Sequence, residues 1–243
     1  MKGLTPHLNT IAGVRAFSTT RHGGVSAAPF ASFNLGSHVG DLPAAVQKNR
    51  QRLLNALQLP NEPCWLNQVH GHTVVRLLSG ACSDTPEADA AYTNVKGTVL
   101  AIQTADCLPI LLAAEDGSEI AAVHSGWRSL AAGIISATLE QFTSSPQHIR
   151  AWLGPAIGPE HFEVGEDVRS AMLDLNSQHE FAFKPYGEKY LADLAAIARQ
   201  TLRSLGVDSI ETCQTCTYAN AEDYFSFRRD GQTGRMASLI WME

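Results

Sequence analysis

The sequence predicts a single domain built from interspersed β-strands and α-helices. Three features predict it. First, two apolar runs, Leu108 to Ala114 and Ile120 to Val123, flank Asp116-Gly117, and Asp-Gly between apolar runs is a strong β-hairpin signal. Second, other segments carry apolar residues at helical spacing, such as Leu130, Ile134, Ile135, Leu139 and Phe142. Third, no shift in composition and no internal repeat divides the 243 residues, although that length permits one large domain or two small ones.

Taken in order, Val14 to Thr19 reads as a short strand, and Arg21-His22-Gly23-Gly24-Val25-Ser26 as a glycine-rich loop. Asp41-Leu42-Pro43 looks like a helix start, an Asp cap followed by an early proline. Val46, Leu53, Leu54 and Leu57 then form the helix stripe, which ends near Leu59-Pro60. Cys64 to Val69, Thr73 to Leu78, Ala90 to Thr93 and Thr98 to Gln103 read as β, with a loop over Ser79 to Ala88. The hairpin follows, then the helix from Leu130 to Phe142. Ile149 to Leu153 is a strand, Val168 to Leu175 a short helix, and Leu191 to Leu205 a longer one stopped by Gly206. Ile210 to Cys213 and Met236 to Trp241 are strands, and Phe225 to Asp230 also reads as extended.

Composition bounds the function. A formal net charge of −6 argues against a nucleic-acid surface, which needs a basic stripe. No apolar run approaches the ~18 residues of a transmembrane helix, and Met1 to Thr10 lacks a signal-peptide core. Five cysteines are an odd number that does not form a disulfide framework. The expectation is a cytoplasmic protein.

Folding the chain about Asp116-Gly117 returns Cys107 to the same end as His124, opposite it or within two residues. Facing side chains on paired strands have Cβ atoms about 4.5–5.5 Å apart. A thiolate and an imidazole can then share one tetrahedral Zn²⁺, with Zn–S about 2.3 Å. Cys107 and His124 are therefore half of a metal or nucleophile site, or else a buried thiol and a satisfied core histidine. Gln68, His70 and His72 share a face if the backbone is extended through Gly71. Gly126-Trp127-Arg128 sits at a helix start, where free N–H groups and a guanidinium favour an anion. Arg228 and Arg229, adjacent in an extended segment, point to opposite faces. Cys213 and Cys216 form a C-x-x-C with no second pair, so a zinc ribbon is not indicated and a redox pair lacks its βαβ setting.

Several motifs together carry a family resemblance. They are Ser18-Thr19-Thr20-Arg21-His22-Gly23-Gly24-Val25-Ser26, Asn34-Leu35-Gly36-Ser37-His38-Val39-Gly40-Asp41 and Gln68-Val69-His70-Gly71. Thr104-Ala105-Asp106-Cys107-Leu108-Pro109 and Ala121-Ala122-Val123-His124-Ser125-Gly126-Trp127-Arg128 follow. Gly154-Pro155-Ala156-Ile157-Gly158, Phe162-Glu163-Val164-Gly165, Phe225-Ser226-Phe227-Arg228-Arg229-Asp230 and Thr233-Gly234-Arg235-Met236-Ala237 complete the set. In that order and over nearly the whole chain, the sequence resembles the YfiH/YlmD family, also called the laccase-domain or DUF152 family. Two positions depart from it: Ser125, where the family often has Ala, and Ser129, where it often has Gly.

The resemblance implies an α+β fold. One domain over residues 1–243 would pack two mixed β-sheets together, with helices on the outer faces in α/β/β/α layers. It implies a zinc site on His70, Cys107 and His124, three protein ligands with an open position, as in catalytic zinc. It also implies a purine nucleoside phosphorylase acting on adenosine, inosine, guanosine and methylthioadenosine, with adenosine deaminase activity. An open zinc lowers the pKa of its water toward about 7, which suits deamination. Arg21, Arg128, Arg228 and Arg229 are phosphate candidates, with Cys107, His124 and Asp106 in catalysis and Asp89 in support. The alternatives are a copper polyphenol oxidase and an amidase that edits peptidoglycan precursors with Cys107 as nucleophile and His124 as base. Nine histidines, scattered singly apart from His70 and His72, do not supply the several H-x-H pairs of a multicopper cluster and make copper the weaker cofactor.

Overall fold

The computed structural model describes residues 1–80, 82 and 84–243. The loop expected over 79–88 therefore lies partly outside the described residues, at Ala81 and Ser83. The chain runs β1 (Gly3–Leu4), β2 (Val14–Thr19), α1 (Pro43–Leu57), β3 (Cys64–Trp65), β4 (Val74–Leu77), β5 (Ala90–Thr93) and β6 (Val99–Thr104). It continues β7 (Leu108–Ala114), β8 (Ile120–Ser125), α2 (Trp127–Ala131), α3 (Ile134–Leu139), β9 (Ile149–Leu153), β10 (Glu163–Val164) and α4 (Glu166–Leu175). The last elements are β11 (Phe183–Tyr186), β12 (Lys189–Ala192), α5 (Leu194–Ser204), β13 (Ser209–Thr212), α6 (Phe227–Asp230) and β14 (Met236–Met242).

Two mixed sheets form the centre, in the orders β1-β2-β14-β6-β3 and β13-β9-β7-β8-β5-β4, beside a small β10-β12-β11 sheet. Strand alternation builds three apolar layers from them. Leu100 and Ile102 of β6 meet Leu111 and Ala113 of β7 and Ala122 of β8 between the sheets. The other faces of the same strands turn outward. Val99 and Ala101 pack with Leu53 of α1. Leu108, Ile110 and Leu112 pack with Leu130, Ile134, Met172 and Ile197 of the helices opposite. This is the α/β/β/α arrangement that the family resemblance implies. A fully buried Leu or Ile contributes about 1.5–3 kcal/mol, against about 0–1 kcal/mol for an exposed ion pair such as Arg15–Glu243. The layers, not the surface charges, hold the fold.

Several local expectations need correction. The helix expected from Leu130 to Phe142 is two helices, broken at Gly133, whose φ of +83° is left-handed and suits glycine. Both pieces lie on one sheet, so the apolar stripe survives the break. Leu191 belongs to β12, not to the following helix, which starts only after Asp193 accepts a capping bond from the Ala196 N–H. Phe227–Asp230 is a helical turn capped by Ser226, not a strand, so Arg228 and Arg229 do not alternate across a sheet. Leu42 is the N-cap of α1, and Asp41 instead binds Ser26 and Asn34. The strands expected over 64–69 and 73–78 shorten to Cys64–Trp65 and Val74–Leu77. Cys64 and Cys82 form one disulfide, while Cys107, Cys213 and Cys216 are free.

Candidate metal centre

The chain leaves the five-stranded sheet at Thr104 and enters the six-stranded sheet at Leu108. Cys107 lies on that corner. β7 and β8 pair antiparallel with Pro109 opposite His124, so Cys107 and His124 share one end of the hairpin, offset by two residues as the sequence predicts. His70 arrives from the loop after β3. The donor atoms of His70, Cys107 and His124 all lie within 4.8 Å of one another. The two imidazoles meet edge-on with centroids 4.7 Å apart. Gly126 forms the floor: a Cβ there would lie 3.0 Å from the Cys107 sulfur and 3.1 Å from His70 Cδ2. Any side chain at 126 would crowd the donors.

Asp89, wholly buried ahead of β5, organises this cluster. Its Oδ1 accepts from His124 Nδ1 at 2.8 Å and from the His70 N–H at 2.9 Å. Its Oδ2 accepts from the Gly71 N–H at 2.6 Å and the Val69 N–H at 3.3 Å. One carboxylate thus fixes the ring of one histidine and the backbone of another. With Nδ1 bound to Asp89, His124 presents Nε2 to the cluster, as histidine ligands do when a carboxylate backs them. Wrapping around Asp89 puts His70 at φ +61°, outside the extended region. Gln68, His70 and His72 therefore do not line one β face, contrary to the sequence expectation.

The electrostatics follow from this packing. Burial pushes the Cys107 thiol up, but the His124 charge and hydrogen bonds from His124 and His70 outweigh it and bring its pKa to about 6. Burial likewise opposes charge on His124, yet the Cys107 thiolate and Asp89 raise its pKa to about 9. Two imidazoles and a thiolate at such spacing can hold one metal ion. Loading requires neutral His124, so it releases a proton.

Two cavities flank Cys107. One, of about 200 Å³, is polar, with His38, Gln68, Thr104 and Arg235 beside the three donors. The other, of about 120 Å³, is apolar, walled by Trp127, Ile157, Phe162 and Leu194, with Arg228 at its edge. Phe227 lines both.

The sequence-named residues divide accordingly. Arg228 lines the apolar cavity, with Nη1 on the Glu163 carbonyl and its guanidinium 5.4 Å from the Phe162 ring centroid. Arg128 is exposed and lies over Trp127, 4.2 Å from the ring centroid. Arg21 and Arg229 line neither cavity. Arg21 donates to the carbonyls of Ala31 and Ala221. Arg229 donates to those of Thr217, Tyr218 and Tyr224. Asp106, at φ +91°, spends its carboxylate on Thr217, Ser226 and the Arg228 N–H. It pins the corner and α6 together. His38, Phe227 and Arg235 were not singled out from sequence as site residues, although all three fall inside the quoted motifs. Only the three-dimensional return of β14 beside β6 brings Arg235 to Cys107.

The sequence profile of the multi-copper polyphenol oxidoreductase laccase family matches residues 15–243. The chain belongs to this family. It is an enzyme family, and relatives across it carry another activity in their names. The purine nucleoside phosphorylase YfiH of Escherichia coli is 50% identical over 230 residues, covering 95% of this chain and 94% of the relative. A purine nucleoside phosphorylase of Haemophilus influenzae is 46% identical over the full length of both chains. Among solved structures, a Neisseria meningitidis DUF152 protein superposes with a TM-score of 0.95 at 41% identity, covering 100% of both chains. YlmD from Geobacillus stearothermophilus gives 0.93 at 32% identity, covering 100% of this chain and 97% of that one.

No helix of the described residues is long and apolar enough to cross a membrane.

Proposed function

We propose that this chain is a zinc-dependent purine nucleoside phosphorylase that also deaminates adenosine. Adenosine, inosine, guanosine and methylthioadenosine are the substrates. One observation carries the proposal: three converging donors that open onto an aromatic cavity on one side and one lined by Arg235 on the other. His70, Cys107 and His124 would hold Zn²⁺, and the missing Cβ at Gly126 leaves space for it. No thioether lines either cavity, so the axial methionine of a copper electron-transfer site is missing from this donor set. Among the described residues one such donor group gathers, which suits a single ion better than a multicopper cluster. When bound, the ion supplies Lewis acidity to a reacting oxygen or ring atom.

The protein's own groups do the rest. Trp127, Phe162 and Phe227 offer flat apolar surface to a purine and keep water from its faces. Asp89 holds His124 in one tautomer and draws the His70 backbone into place. In phosphorolysis a phosphate oxygen bonds to the anomeric carbon, the carbon–N9 bond breaks, and the purine leaves with a proton. In deamination water's oxygen replaces the ring amino group and ammonia departs. The names of relatives near 50% identity support the first reaction.

Product analysis with adenosine and inorganic phosphate tests the proposal. Adenine with ribose 1-phosphate, abolished by chelation and restored by zinc, is the expected result. Inosine alone would reduce the protein to a deaminase. Dye oxidation that depends on added copper, or amide hydrolysis that survives zinc removal, would overturn the proposal in favour of the oxidase or the amidase.

A further inference from the structure

Arg235 stands out among the cations at the site. Its stem passes over Gly36, where a Cβ would lie 2.8 Å from the Arg235 Cγ. Its Nη1 is anchored on the carbonyls of Thr233 and Gly234, both at 3.0 Å. The guanidinium lies 5.9 Å from the Phe227 ring centroid, and Nε and Nη2, the other edge of the planar fork, have no hydrogen-bond partner among the described residues. That is the edge which binds a tetrahedral oxyanion in two parallel hydrogen bonds. No carboxylate occupies it. Asp106, whose charge acts on Arg235, is engaged by Thr217, Ser226 and the Arg228 N–H. His38 lines the same cavity, where burial and the charges of Arg235 and Arg50 disfavour its protonation, so Arg235 is the permanent cation of that cavity. The other arginines named from sequence are placed elsewhere: Arg21 on backbone carbonyls, Arg229 on backbone carbonyls and the Asp230 carboxylate, Arg228 at the apolar cavity.

We propose, taking the phosphorylase activity above as the basis, that the Nε–Nη2 edge of Arg235 holds the attacking inorganic phosphate in the polar cavity. The purine then lies across Phe227 in the apolar cavity. Phe227 is 59% exposed although it borders both spaces, so a bound nucleoside would cover it. The arrangement puts nucleophile and leaving group on opposite sides of the Cys107 corner. It assigns phosphate to a residue different from the four arginines chosen from sequence.

The test uses the purified, metal-loaded protein. Charge-assisted bidentate contacts are worth enough that Arg235→Gln should raise the KM for phosphate by about ten- to a hundredfold. The KM for inosine should stay within about threefold. Arg235→Lys should recover part of the loss, because it restores charge without the fork. Gly36→Ala keeps the guanidinium but displaces its stem, and should raise the phosphate KM by an intermediate factor. Titration of the wild type with inorganic phosphate alone, followed by calorimetry, should show binding that Arg235→Gln abolishes. A phosphate KM unchanged in Arg235→Gln, or an equal loss for both substrates, would overturn the assignment while leaving the phosphorylase standing. Phosphate binding that depends on Arg235 in a protein forming no ribose 1-phosphate would do the reverse. It would keep the anion site and remove the activity.

Discussion

The β7–β8 hairpin buries a carboxylate near each end, and the two are used in opposite ways. At the closed end Glu119, 3% exposed, accepts at Oε1 from Tyr92 and from both the hydroxyl and the N–H of Thr143. Its Oε2 accepts from the Ser144 N–H. These bonds tie the hairpin loop to β5 and to the loop after α3, and none of the residues lines either cavity at the donor cluster. At the open end Asp89 makes as many bonds, but two of them finish on His124 and His70, whose rings meet Cys107 on their far sides. His124 turns Nε2 toward Cys107, and the His70 ring faces the same point. A saturated acid is a clamp. An acid that saturates only the back of its partners is an aiming device. Burial and bond count alike fail to separate the two; what lies beyond the partner does.

The contrast can be broken or sharpened by substitution. The largest effect is expected for Cys107→Ala, which should lower turnover by at least about a thousandfold, since a metal supplies several kcal/mol. Its urea midpoint should hardly move. Glu119→Ala should behave oppositely, costing about 3 kcal/mol or more of stability by orphaning the buried Tyr92 hydroxyl and the Thr143 and Ser144 donors. Activity per folded molecule should persist. Loss of activity in folded Glu119→Ala would erase the distinction between the ends.

Acid titration gives the same contrast without mutation. Burial pushes the Glu119 carboxyl up, but hydrogen bonds from Thr143, Tyr92 and Ser144 outweigh it and hold its pKa at about 2, against an ordinary 4.5. The folded-state pKa is depressed, so this stability is complete above about 4.5 and lost as pH falls toward 2. Equilibrium unfolding of the wild type should steepen over that window, and Glu119→Gln should flatten it.

Asp89→Asn keeps the shape but weakens the hold on His124. Loss of such a partner typically costs about ten- to a hundredfold in metal affinity, measurable by competition with a chromogenic chelator. The smallest effect concerns Ser125 and Ser129, the two departures from the family pattern. Both are wholly buried with hydroxyls that have no hydrogen-bond partner among the described residues. Ser125→Ala should therefore raise stability, by about 1 kcal/mol.

The hairpin, the helix of α1 and the convergence of Cys107 with His124 were legible because local signals fixed them: Asp-Gly at a turn, period-3.6 stripes, and a register set by turn length. His70 entered through family resemblance, since its position depends on a left-handed residue folded around Asp89, which no local pattern marks. The failures have the same origin. Leu191 fits a helical stripe but pairs as a strand because Glu163 and Val164, distant in sequence, supply its partner. Arg228 and Arg229 look extended until Ser226 caps a turn. Arg21 and Arg229 look available to phosphate in the sequence, yet neither lines the cavities: carbonyls hold Arg21 Nε and Nη1, and carbonyls with the Asp230 carboxylate hold Arg229. Arg235 was overlooked because its neighbour Gly36 and its free edge exist only in the folded chain.

The central claim is that His70, Cys107 and His124 hold one ion together. Elemental analysis of the protein as purified, beside His70→Ala, Cys107→Ala and His124→Ala, measures it without reference to any substrate. About one zinc per chain is expected in the wild type, falling steeply in all three folded variants. Zinc retained at full occupancy in folded Cys107→Ala would contradict the account.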